Sequence, residues 1–307
     1  MRSVGGRGIT QYTVLHLDDR TCVMAMAMFM EGANPGSVIL NPFSGFTIVG
    51  RDGTCPDVWS PPERLAAYTP PPGSTQQVTR GPFQLPSGGH TVEALYVREE
   101  LAGTRSARAW DLATGVLVVA TDGTGRVQAP APEPTSSGSM NLIEVRTPAY
   151  PWDVYAALPA SVQALSGLRF SASVTSTFVG LVAPPHVERF EGVLDVAERS
   201  TDLLLLRARD GDDSTYVVLG AMSWLFIPPA ALAQLRPGQR IDEDPVVGTV
   251  LSLARVDVGS VVLAVDGPGL TIHRTFDTAS GVQRSERLET NADIRHLVIE
   301  THVTTIP

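Results

Sequence analysis

His296, Glu300 and His302 are of the types that ligate zinc or another transition metal, since imidazole and carboxylate are ordinary donors to such ions. They fall in "IRHLVIETHV" (294–303), whose composition predicts a strand. Residues two apart share a face of a strand, so His296, Val298, Glu300 and His302 point one way and Leu297, Ile299 and Val303 the other. Six residues of strand span roughly 20 Å, so His296 and His302 cannot share one ion. The metal reading therefore reduces to Glu300 and His302 with a further ligand elsewhere. The alternative is a solvated polar strand face.

Other stretches carry chemistry-bearing types. "RDGDDSTY" (209–216) has the acidic, glycine-containing look of a calcium loop but lacks the glutamate that closes an EF-hand, and it reads more simply as a hairpin turn. Met24, Met26, Met28 and Met30 alternate along "VMAMAMFM" (23–30), and a face of flexible thioethers suits an apolar ligand pocket. The later run "DLLLLRA" (202–208) matches this stretch and favours a strand buried on both faces. Cys22 and Cys55 are the two cysteines, either bridged or present as two small unpaired residues. Gly-x-Ser-x-Gly, HExxH, CxxC, GxGxxG and P-loop motifs do not stand in a context that their chemistry requires. No cofactor is implied, and a hydrolase or metalloenzyme would need a dispersed site.

All 23 basic residues are arginine, which leaves Schiff-base and P-loop lysine chemistry without its residue. A net charge of −9 with no arginine cluster argues against a nucleic-acid partner. The eight residues at 23–30 are too few to cross about 30 Å of hydrocarbon as a helix, so no transmembrane segment is expected. "MRSVGGRGITQY" shows no apolar signal-peptide core.

The elements that must position these residues repeat. "LDDRT" (17–21) precedes an apolar strand as "VAERS" (196–200) does. "SPPERLAA" (60–67) returns as "IPPAALAQ" (227–234), and "RAWDLATGVLV" (108–118) as "RTFDTASGVQR" (274–284). Ser60, Pro61 and Glu63 predict a capping box opening a helix of about two turns. "WDLATG" and "FDTASG" predict hairpins in which Asp111 or Asp277 bonds the turn backbone and Gly115 or Gly281 takes positive φ. Short strands at intervals of about 8 to 12 residues with Gly/Asp turns predict antiparallel meanders.

The fold expectation is all-β: two tandem antiparallel curved-sheet domains, 1–152 and 153–307, each with one short helix. "PAYPWDVYAALP" (148–159) forms the junction, and "VQAPAPEPTSSGS" (127–139) an enlarged hairpin loop of the first domain. The second copy is preceded by the strand-like "LRFSASVTSTFVGLV" (168–182), and the first begins near Gly8 with no room for an equivalent. That strand either bridges both sheets or leaves the first copy with an open edge for a partner.

"WDLATG" and "FDTASG", set in meanders with a short helix, resemble a pattern of bacterial cell-envelope β half-barrels, the lipoprotein-carrier and related periplasmic families. The resemblance implies a curved sheet wrapping a helix or an apolar ligand, and an extracytoplasmic location. The functional expectation is a non-enzymatic envelope or extracellular protein that binds an apolar small molecule or a protein partner. The alternative is a structural subunit that self-assembles by strand addition to an open sheet edge.

Overall fold

The computed structural model describes the chain except residues 1–6, 18–20, 32–36, 40–45, 52–53, 56–57, 86–90, 102–103, 125–138, 143, 181–183, 210–215 and 293–294. For 7–11, 16, 21, 25–31, 37–39, 46–51, 101, 104, 123–124, 139–141, 292 and 295 it describes the backbone alone. The proposed hairpin loop at 127–139 and the acidic stretch at 210–215 thus fall largely or wholly outside the described residues.

In chain order, strands β1 (Arg7–Leu17), β2 (Thr21–Glu31), β3 (Ser37–Ile39) and β4 (Phe46–Arg51) precede helix α1 (Pro62–Ala66). Strands β5 (Gln77–Gln84), β6 (Thr91–Leu101), β7 (Thr104–Asp111), β8 (Leu117–Thr124) and β9 (Ser139–Asn141) follow. After α2 (Ala160–Gln163) come β10 (Gly167–Phe178), β11 (His186–Arg199), β12 (Leu203–Ala208) and β13 (Tyr216–Gly220). Helix α3 (Pro229–Leu232) leads to β14 (Arg240–Asp244), β15 (Thr249–Asp257), β16 (Ser260–Gly267), β17 (Leu270–Asp277), β18 (Gln283–Ala292) and β19 (Arg295–Ile306). The class is all-β and antiparallel, as the alternating apolar pattern predicts.

The chain forms two compact units. The first is built around Gly50–Arg146 and includes Leu17–Cys22; the second comprises Gly6–His16, Val23–Val49 and Thr147–Pro307. Compared with a division at residue 152, the N-terminal hairpin and the stretch from Thr147 go with the C-terminal strands. Packing explains both. Val23 and half-buried Leu15 meet Leu203, Leu205 and Val218, and Tyr150 and Trp152 pack against the core of the second unit.

In the first unit β5 to β9 form a five-stranded meander in sequence order. Its core is small: Ala94, Ala109, Val118 and Val119, with Phe83, Tyr96 and Leu142 against them. Cys22 and Cys55 are bridged and buried. Arg80 closes α1 by donating to the carbonyls of Leu65, Ala66 and Tyr68, supplying partners the last turn lacks.

The second unit holds a fourteen-stranded sheet in the order β1-β2-β4-β13-β12-β11-β10-β19-β18-β17-β16-β15-β14, with β3 beside β2. Strand β12 is buried on both faces: Leu204 and Leu206 enter one cluster with Phe226 and Leu168, while Leu203 and Leu205 enter the other with Val23. Strand β10 pairs with β11 along one edge and β19 along the other, so 167–178 joins two strands of the second unit rather than bridging to the first unit's meander. Arg199 donates to the carbonyls of Gln163 and Leu165 and closes α2 as Arg80 closes α1.

In each unit the segment before the proline helix touches the Asp-Gly hairpin. In the first unit Ser60 N–H donates to the Gly115 carbonyl at 3.0 Å, and Leu117 N–H to the Val58 carbonyl at 2.7 Å. In the second, Ile227 N–H donates to Gly281 at 3.0 Å and Gln283 N–H to Leu225 at 2.9 Å. The segment before each proline helix is thereby clamped to its Asp-Gly hairpin. The helices themselves depart from expectation. Pro61 and Pro228 are the N-caps, without a side-chain cap bond, and α1 spans five residues rather than two turns. Ser60 stands one residue before the cap, its backbone amide bonded to Gly115.

Candidate functional site

Strand β19 does align Glu300 and His302 on one face, but the carboxylate is already held by the guanidinium of Arg287 directly across on β18. His296 bonds Asn291 at 3.0 Å and faces Glu289 at 3.4 Å, so it belongs to a separate pair. Among the described residues no group of three or more His, Cys, Asp or Glu side chains is placed to hold a metal ion. What β19 does contribute is one wall of an open groove of about 490 Å³ across β15–β19, lined among others by His273, Thr275, Ser285, Arg287, Glu300 and His302.

Met24 is fully buried, next to fully buried Val23, which places this part of β2 in the core on both faces. The side chains of Met26 and Met28 lie outside the described part of the structure; Met28 pairs with Ile39 in the backbone register. Asp111 and Asp277 hold turns. Asp111 accepts from the Ala113 amide at 3.0 Å and the Thr114 hydroxyl at 2.6 Å; Asp277 accepts from the amides of Ala279 and Ser280 and the Ser280 hydroxyl. Burial raises the Asp277 pKa, but the Ser280 amide and hydroxyl, Arg284 and the Ala279 amide outweigh it, and the carboxyl ends below its ordinary range.

Sequence reasoning missed the interior of the second unit. Arg274 and Glu286, directly opposed on β17 and β18, form an ion pair at 2.5 Å with side chains only 5% and 3% exposed. The Arg274 guanidinium lies 4.4 Å from the Trp224 ring centroid, and Trp224 meets Tyr150 edge-on, which stacks on Trp152 at 4.8 Å. Trp152 Nε1 donates to the Ala221 carbonyl at 3.0 Å. The residues expected to form a junction thus fill the space beside the sheet. The only signal in the sequence was the aromatic density of "AYPW".

The long sheet ends in two unlike strands. At one end β14 has five residues, three of them acidic, a register shift between Arg240 and Asp242, and the Ala149 amide bonded to Asp242 Oδ1 at 3.2 Å. Charge, shortness and irregularity are the usual protections of an edge. At the other end β1, "RGITQYTVLHL", has eleven residues, no acidic residue and no proline, and β2 is its one strand neighbour among the described residues. Val14 and Leu17 on it are exposed. This edge has the form of a strand acceptor.

The chain matches no protein-family model, no curated protein and no solved structure.

Proposed function

We propose that the protein is a non-enzymatic extracytoplasmic binding or structural protein that accepts a β-strand from a protein partner along the open edge of β1. The observation that carries this reading is the contrast between β1 and β11. The repeated sequence aligns "LDDRT" with "VAERS" and so sets the end of β1 against the end of β11. Strand β11 is covered from His186 to Asp195 by β10, in antiparallel register from Gly167↔Asp195 to Ser176↔His186. Strand β1 has β2 alone among the described residues.

A donated strand therefore takes the place that β10 holds in the second copy, antiparallel to β1, with its alternation of apolar and small hydroxyl residues. A protein partner is favoured over an apolar small molecule because Trp152, Phe170, Phe226 and Leu204 occupy the interior of the second unit. The buried Cys22–Cys55 bridge supports an oxidising compartment.

A labelled synthetic peptide with the sequence of Gly167–Phe178 tests the proposal by fluorescence anisotropy on the intact chain. Saturable binding is expected, weakened about tenfold by Val14→Lys, because a lysine on an edge opposes strand docking. Absence of binding, or equal binding to Val14→Lys and the parent chain, would overturn it.

A further inference from the structure

We propose that the groove on the outer face of β17–β19 binds an oxyanion: a carboxylate, phosphate or sulfate group. The register sets its side chains on a grid. His273, Arg287 and Glu300 form one row across three adjacent strands, and Thr275, Ser285 and His302 the next. With strands about 4.8 Å apart and residues two apart separated by about 6.7 Å, the imidazoles stand at opposite corners, on a diagonal of about 12 Å. Zinc bonds nitrogen at about 2.0 Å, so this spacing does not suit one metal ion. An oxyanion with hydrogen bonds of about 2.8 Å on either side spans more of it.

Three observations select an anion. Of the four histidines whose side chains are described, His186 pairs with Glu188 and His296 with Asn291 and Glu289. His273 and His302 have no described partner, and both line the groove. Two imidazoles are thus unspent at opposite corners of one groove. The acidic neighbours, in contrast, are engaged: Glu300 by Arg287, Asp257 by Arg255 at 2.7 Å, and Glu286 by Arg274 on the buried face. Finally, Ser285 and Arg287 occupy the middle column of the grid with Thr275 at a corner beside Ser285, and Arg255 also lines the groove. Among the lining residues Arg255 and Arg287 balance Glu286 and Glu300, and hydroxyl and imidazole donors face the groove.

The test follows the imidazole C–H NMR resonances of the intact chain during separate titrations with inorganic phosphate, inorganic sulfate and acetate at constant ionic strength. His273 and His302 are expected to shift with a common saturating midpoint for at least one anion, while His186 and His296 stay in place. Whichever anion has the lowest midpoint identifies the head group. His273→Gln should raise the midpoint read at His302 about tenfold, as loss of a charge-assisted hydrogen bond does. Parallel shifts of all four histidines, shifts without saturation, or an unchanged His302 midpoint in His273→Gln would overturn the proposal.

Discussion

Gly115 and Gly281 are held to glycine by what stands against them. A Cβ at Gly115 would lie 2.0 Å from the Ser60 carbonyl oxygen, and one at Gly281 2.2 Å from that of Ile227, in addition to φ values of 76° and 77°. Gly259 has a similar φ of 74° with open space around it. Gly281→Ala should therefore cost about 3 kcal/mol or more in denaturant unfolding, and Gly259→Ala about 1 kcal/mol. Asp277 gives a pH signature in the same hairpin. Because its folded pKa is depressed, its contribution is complete above the ordinary carboxylate range near pH 3.9 and is lost as pH falls through the lower folded value. Thermal melts should show Asp277→Asn less stable than the parent at neutral pH and less sensitive to acid. Arg274 and Glu286 form the other decisive pair. Glu286→Gln should cost about 3 to 5 kcal/mol by stranding a buried cation, whereas Arg274→Met combined with Glu286→Leu should be close to neutral. Urea midpoints of the parent chain and the two variants check this.

At the scale of elements, strands with clean alternation were legible. In "LTIHRTFD" every second side chain is buried, whereas the neighbouring "SVVLAVDG" was readable as a continuous apolar run and the Asp-Gly hairpins by their turn residues. Among the strands that escaped, β5 and β14 break the apolar rule. Strand β5 contains Pro82 and lies at the edge of its sheet, where a missing amide is tolerated; β14 is mostly charged. The site residues were less legible. Spacing placed Glu300 and His302 on one face correctly, but their neighbours His273, Ser285 and Arg287 come from strands whose register no local pattern fixes. The disulfide was readable only as a choice, since pairing depends on the path of the chain between positions 22 and 55. Its loop, with a sequence separation of 33, corresponds to roughly 3 to 4 kcal/mol of chain entropy. Replacing both cysteines by serine should lower stability by up to about that amount, and reductant should do the same to the parent chain but not to the variant.

At the scale of the molecule, each unit carries the same clamp: a segment leading to a proline-capped helix, bonded to an aromatic-Asp-Gly hairpin. The units differ in what surrounds it. In the second, β10 closes the sheet between β11 and β19, and aromatic residues from 150–152 complete the core. The first unit has a smaller core, and β1 ends the second unit's sheet with β2 as its one strand neighbour among the described residues. Under the proposed function, the edge of β1 is the strand position that a partner fills. Amide hydrogen exchange along β1, with and without the Gly167–Phe178 peptide, measures this most directly. Alternate β1 amides should exchange quickly in the chain alone and become protected when the peptide is added. Uniform protection of β1 in the chain alone, or protection that appears elsewhere and not in β1, would contradict it.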